Sequence, residues 1–170
     1  MILSRDEIIK ETKRGKITIR PFDEKCVGPC SVDLHLGYVF RVFNKKAKTF
    51  DVNENAAIED HSKVVNVGKE GITISPNELV LGVTQERIKL SPSFCARIDG
   101  RSRFARLGLA VHLSSSLVQP GVDNVQVLEI LNSSPNKLRL RPGLKICQLV
   151  FEELRGKAVY RGAYRTQQKP

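Results

Sequence analysis

The feature that most constrains this chain is its punctuation. Gly or Pro interrupts nearly every apolar run, at Pro21, Gly37, Pro76, Gly100, Pro120-Gly121 and Pro142-Gly143. Pro withholds a backbone N–H and Gly favours turns, so short elements joined by turns are expected. What lies between reads as short strands. Ile17-Thr18-Ile19-Arg20 alternates before Pro21, and Val32-Asp33-Leu34-His35-Leu36 alternates before Gly37. Further strands are expected at 38–43, 63–67, 72–75, 79–84, 94–98, 108–113, 125–131, 137–141 and 146–152. One helix stands out, over residues 5–14. Ser4 is placed to cap it, Glu7 to complete a capping box, Leu3 and Ile8 to form a staple, and Gly15 to end it. Many short strands with turns between them predict a mostly antiparallel β barrel or jelly-roll sandwich. With 170 residues, one domain is expected. Residues 44–62 read as a loop or arm and 155–170 as a mobile tail, and no internal repeat is evident.

Charge narrows the partners. Lys and Arg number 28 against 18 Asp and Glu, a formal charge of +10, and the excess is uneven. Residues 137–170 carry nine basic and two acidic side chains, whereas 51–90 carry four basic and seven acidic. A local basic excess suits an anionic partner: nucleic acid, an acidic lipid surface or a phosphorylated small molecule. Trp is absent and aromatics are 6%, which argues against single-strand stacking platforms. No Cys/His finger spacing or GxxxxGK[ST] loop is present. No apolar run reaches bilayer length, and the acidic start MILSRDEIIKE lacks the apolar core of a secretory signal, so a cytoplasmic protein is expected. Cys26, Cys30, Cys95 and Cys147 lack the two close pairs typical of a structural zinc site, and a Cys26–Cys30 disulfide would be unusual in a reducing compartment. Buried small hydrophobes are the expected role.

Three clusters carry chemistry. The turn Gly100-Arg101-Ser102-Arg103-Phe104-Ala105-Arg106-Leu107-Gly108 offers backbone N–H groups, a hydroxyl and guanidiniums, a set that binds phosphate. In Val125-Gln126-Val127-Leu128-Glu129-Ile130-Leu131, period two places Glu129 on the face of Val125, Val127 and Leu131. Leu128 and Ile130 make the opposite face apolar, so a strand buried on both sides is expected. A carboxyl there is either raised in pKa and suited to carrying a proton, or held in a buried ion pair with an arginine of 101–106. The third cluster, residues 160–168, brings two Tyr, two Arg and two Gln suited to closing over a polyanion.

Further motifs join these clusters. Val27-Gly28-Pro29-Cys30-Ser31-Val32-Asp33-Leu34-His35-Leu36-Gly37 is similar to a G-x-S-x-D-[VL]-x-L-G pattern. Then come Gly100-Arg101-Ser102, Ala105-Arg106-Leu107-Gly108-Leu109, Pro120-Gly121 and Leu128-Glu129-Ile130. Arg141-Pro142-Gly143, Gln148-Leu149-Val150-Phe151-Glu152 and Tyr164-Arg165-Thr166-Gln167-Gln168 complete the series. In this order and spacing, the chain resembles the dCTP deaminase branch of the dUTPase superfamily over essentially its whole length. The resemblance implies a distorted, dUTPase-like jelly-roll β barrel over 1–154 and a flexible lid over 155–170. It also implies a homotrimer with shared active sites. The implied reaction is hydrolysis of dCTP to dUTP and ammonia, with magnesium carried by the substrate triphosphate, no zinc, and dTTP as a candidate inhibitor. Neither nucleic acid nor membrane enters. By the same resemblance, Glu129 is the proton shuttle, with Arg106 and Ser102 beside it. Arg101 and Ser102 match phosphate-binding positions, Gln148, Tyr160 and Gln167 match positions that contact the phosphates, and Arg103, Phe104 and Ala105 are expected among the substrate-binding residues. Main-chain groups of Val127 and Leu128 read the base, and Gln119 faces the sugar.

Three positions depart from the pattern. Arg103 replaces a second Ser, Ala163 a tail Lys, and Gln119 an Asp. In dUTPases that Asp prepares the water that attacks the α-phosphate, and an amide cannot accept its proton. Deamination that stops at dUTP is therefore expected. The alternatives are a dUTP diphosphatase, an enzyme with both activities, or a non-catalytic nucleotide-binding paralogue.

Overall fold

The computed structural model describes residues 1–44 and 49–170. Its elements in chain order are α1 (Arg5–Lys13), β1 (Ile17–Arg20), β2 (Val32–Phe43), β3 (Ser62–Asn66), β4 (Ile72–Ile74), β5 (Leu79–Leu90) and β6 (Phe94–Gly100). There follow α2 (Ser102–Ala105), β7 (Leu109–Val111), β8 (Leu117–Val118), β9 (Asp123–Asn132), β10 (Leu138–Leu140) and β11 (Lys145–Glu153). Nine strands form one curled sheet with the path β7-β9-β5-β2-β11-β6-β8, with β1 paired to β5 and β3 to β2, while β10 and β4 pair separately. The protein is mainly β, one curled antiparallel sheet, as the strand pattern predicts. Of the expected 44–62 arm, residues 45–48 lie outside the described residues.

The sheet curls because its long strands change partners at bulges. The first half of β2 pairs with β11, and the second half with β5 and β3. β5 lies between β2 and β9 over residues 80–83, then between β1 and β9 over 87–89. Gly37, expected to end a strand, instead lies inside β2 where its register with β5 shifts. A Cβ there would stand 2.9 Å from the Val83 carbonyl oxygen, so the bend needs glycine for close approach. β5 likewise runs on past residue 84, where its strand was expected to end, through Gln85-Glu86-Arg87. Glu86 is buried because its carboxylate accepts the His35 N–H at 2.9 Å and contacts His35 Nδ1 at 2.5 Å. Arg87 pairs with Asp123 at 2.6 Å.

The core packs Phe40, Phe151, Leu34, Leu36, Ile88, Leu128, Ile130 and Ile146, all fully buried. Helix α1 is stapled to it by Leu3 and Ile8, and Gly15 at φ +70° ends it. The expected capping box does not form. The Ser4 hydroxyl makes no cap bond, Glu7 is engaged by Lys10 at 2.8 Å, and the Arg5 N–H is taken by the Pro29 carbonyl at 2.7 Å. All four cysteines are free. Cys26 and Cys147 are buried as expected, with burial pushing the Cys147 thiol up, whereas Cys30 is exposed and Cys95 partly so. Among the described residues no helix is long and apolar enough to cross a membrane.

The staple and the cap make opposite predictions. Ile8→Ala should cost about 2–5 kcal/mol in a urea titration, as buried Ile truncations do. Ser4→Ala should cost less than about 0.5 kcal/mol, below the usual loss of a working cap. A large Ser4 effect would show that the hydroxyl caps the helix in solution.

Candidate active site

β9 organises the site. Its even residues, Asn124, Gln126, Leu128, Ile130 and Asn132, are buried, and its odd residues are half-exposed. The strand is thus covered on one face only, not on both as the sequence suggests. Glu129 does share the open face with Val125, Val127 and Leu131. The buried polar residues are paired: Gln126 Nε2 donates to Asn124 Oδ1 at 2.7 Å, and Asn132 Nδ2 donates to the Ile74 carbonyl at 3.2 Å.

The strand's edges differ as sharply as its faces. In an antiparallel ladder a residue's N–H and C=O point to one edge and its neighbours' to the other. The Gln126 N–H points to β5, where the Thr84 hydroxyl accepts it at 3.0 Å. Odd residues therefore point outward. The Val125 N–H reaches the Gln167 carbonyl at 3.3 Å, and the Glu129 carbonyl accepts the His112 N–H at 2.7 Å. β7 covers that edge only from Ile130 onward. Between these contacts the Val127 N–H and C=O face a stretch of edge that no described strand or loop bonds. Leu128 is placed otherwise: its side chain is in the core and its main chain faces Gly82 of β5, so it presents no group at that open edge.

Glu129 is gripped by the loop after β7. Its Oε2 accepts the N–H groups of Leu113 and Ser114 at 3.0 and 2.8 Å, and the Ser114 hydroxyl lies 2.9 Å from Oε1. Burial pushes this carboxyl up, but the Ser114 hydroxyl and N–H, the nearby His112 and the Leu113 N–H outweigh it. The net shift is downward, so Glu129 is ionised at neutral pH. The expected rise in pKa is corrected to a fall, and within one chain no arginine of 101–106 pairs with the carboxyl. His112 shapes the loop from a left-handed conformation, φ +65°, with Nε2 on the Ser115 carbonyl at 2.7 Å.

A second group of residues forms a corner where β6, β11 and β2 meet. Arg101 precedes α2, with Nη1 on the Lys145 carbonyl at 3.0 Å and Nη2 on Asp33 at 3.3 Å. Phe104 packs on the core and anchors α2, while Ser102, Arg103, Ala105 and Arg106 are exposed. Among the described residues the Arg103 and Arg106 guanidiniums have no hydrogen-bond or ion-pair partner. Gln148 on β11 bonds through Oε1 to the Ser31 hydroxyl at 2.8 Å. Gln119 is half-exposed just before Pro120, and the tail passes beside it, the Tyr160 N–H bonding the Pro120 carbonyl at 2.9 Å. The tail continues along the start of β9, its Tyr164 carbonyl accepting Asn124 Nδ2 at 2.7 Å. Within one chain no hydrogen bond or ion pair links Glu129 to Arg101, Ser102 or Arg106.

Sequence reasoning assigned no role to His112 or Ser114, and quoted Ser31 and Asp33 only as parts of a motif. The signal for Ser114 was the Ser114-Ser115-Ser116 run directly after a predicted strand. Among the described residues no three His, Cys, Asp or Glu side chains converge on a metal position.

The site thus combines a curled antiparallel sheet, an arginine-bearing turn and one ionised carboxylate beside an open strand edge. The chain belongs to the dCTP deaminase-like family, whose model matches residues 2–154. It is 38% identical over 158 residues, 91% of this chain and 81% of the relative, to a "dCTP deaminase, dUMP-forming" from Methanobrevibacter smithii. It is also 38% identical over 162 residues, 91% of this chain and 83% of the relative, to a "dCTP deaminase" from Rhodospirillum rubrum. The crystal structure of 2'-deoxycytidine 5'-triphosphate deaminase from Agrobacterium tumefaciens shares the fold with a TM-score of 0.67 at 20% identity. That match covers 88% of this chain and 47% of that one, so the chain spans about half its length.

The grip on Glu129 is testable by pH. A group whose folded pKa is depressed adds stability above its unfolded value and loses it as pH falls through the folded one. Glu129 should therefore stabilise the protein at neutral pH and cease to do so in acid. Ser114→Ala should move the Glu129 carboxyl titration, read by carbon-13 NMR, upward toward the ordinary Glu range. An unmoved titration would show that Ser114 does not hold the carboxylate.

Proposed function

We propose that this chain hydrolyses dCTP to dUTP and ammonia. The observation that carries the reading is the ionised Glu129 carboxylate beside the open Val127 peptide edge, in a chain that belongs to the dCTP deaminase-like family. A pyrimidine presents its own donors and acceptors along one side, and the Val127 N–H and C=O match that alternation. Glu129 then stands two residues along the same strand face. Water adds to C4 of cytosine and gives its proton to the carboxylate, which is already in the form that accepts one. Glu129 passes that proton to N3 of the ring, then takes the proton of the C4 hydroxyl and delivers it to the amine, so that the C4–N bond breaks and ammonia leaves as the C4 carbonyl forms.

The remaining groups serve the triphosphate and the water. Arg101, Arg103 and Gln148 supply donors to the phosphates, and Tyr160 and Gln167 close over them from the tail. The substrate is the magnesium complex of dCTP. No zinc enters this scheme, since the site's groups are a carboxylate, hydroxyls, amides and guanidiniums. Ser102 and Arg106 reach Glu129 across a subunit boundary, because in one chain no bond links them. The half-exposed Val125, Val127 and Leu131 and the exposed Leu113 and Leu117 support burial of this face in a homotrimer.

A second reading adds cleavage of dUTP to dUMP, favoured by the name of the Methanobrevibacter relative. Against it stands Gln119, which offers no carboxylate as base for an attack on phosphorus. Incubation with magnesium and dCTP should release ammonia and accumulate dUTP without pyrophosphate. Pyrophosphate formed at a rate comparable to ammonia would establish the second reading, and neither product would leave a nucleotide-binding paralogue.

Glu129→Gln should lower kcat by about 10²–10⁴-fold while dCTP affinity stays within about tenfold. Near-normal turnover would remove Glu129 from the chemistry. Mixing Ser102→Ala with Glu129→Gln protein under subunit exchange should restore part of the activity. An active monomer at micromolar concentration would refute shared sites.

A further inference from the structure

Gln148 occupies an awkward place for an amide that must meet an anion. On β11 it is flanked directly by Asp33 of β2 and Asp99 of β6. Residues opposite one another across antiparallel strands share a face. An amide has a donor end and an acceptor end of nearly equal size. Between two carboxylates alone, Gln148 would turn its N–H groups to them and present Oε1 outward, where it repels phosphate.

Two bonds prevent this. Asp33 is met by Arg101 Nη2 at 3.3 Å, with the same guanidinium fixed on the Lys145 carbonyl at 3.0 Å. The Ser31 hydroxyl, 117 residues away in sequence, donates to Gln148 Oε1 at 2.8 Å. That bond occupies the acceptor end and leaves both Nε2 N–H groups for an anion. Arg101 follows Gly100, which pairs with Cys147 beside Gln148, so the amide and the guanidinium belong to one corner.

We infer that Ser31 is a positioning residue for triphosphate binding, acting through the orientation of the Gln148 amide. The inference rests on the phosphate-binding role of this corner proposed above. Ser31 itself touches neither base nor phosphate, and its loss affects affinity rather than the chemical step.

Calorimetry with magnesium tripolyphosphate, run beside steady-state deamination of dCTP, separates this from a structural role. Ser31→Ala should raise both the tripolyphosphate Kd and the dCTP KM about tenfold, with kcat held within about twofold. Ser31→Thr, which keeps the hydroxyl, should restore both. In a Gln148→Ala background Ser31→Ala should change nothing further. An equal weakening in that background, failure of Ser31→Thr to restore, or no weakening in the otherwise unaltered protein would overturn the inference. Ser31-dependent tripolyphosphate binding without ammonia release from dCTP would instead sink the functional reading and leave the inference standing.

Discussion

β9 has two faces and two edges, and the structure depends on keeping all four distinct. One face, carrying Leu128 and Ile130, closes the core, and one edge is zipped to β5 from Leu79 to Lys89. The ladder fixes which edge each residue's N–H and C=O point to, because the alternation admits no half-steps. With Gln126 committed to β5, Val127 must face outward. With Leu128 in the core, Glu129 must stand on the open face. A one-residue slip would bury the carboxylate and expose Leu128, so register and chemistry are fixed together.

What surrounds β9 turns this geometry into a site. The loop after β7 gives Glu129 two backbone N–H groups and a hydroxyl, enough to outweigh desolvation and hold it ionised. The tail and His112 cap the outer edge on either side of Val127 and leave the peptide between them free. The corner that carries Arg101 and Gln148 is built on different strands, so in the proposed reaction the phosphates and the base are handled on separate elements. Their union through subunit contact is part of the functional proposal, supported by the half-exposed apolar residues that share Glu129's face.

Much of this was legible in the sequence. β1 alternates over the residues it occupies, and period two placed Glu129 with Val125, Val127 and Leu131. Signals failed where tertiary contact reversed a local rule. Gly37 reads as a strand end, yet it sits within β2 because the Val83 carbonyl approaches too closely for a Cβ. A strand expected to stop at residue 84 continues through Gln85-Glu86-Arg87 because His35 and Asp123 satisfy its charges. Glu129's environment was misread because its partners lie 15 and 16 residues back in a loop, at a separation no periodicity reports. The Ser4 capping box was misread as well, since the Ser4 hydroxyl makes no cap bond and Lys10 engages Glu7 instead.

The central claim is that the open peptide edge at Val127 receives the base beside an ionised Glu129. The most direct measurement follows the Val127 amide in nitrogen-15 valine-labelled Glu129→Gln protein, in which turnover is halted. Saturating magnesium dCTP should shift that resonance strongly, and magnesium tripolyphosphate, which lacks a base, should leave it nearly unmoved. A Val127 amide indifferent to saturating dCTP, or moved equally by tripolyphosphate, would contradict the account.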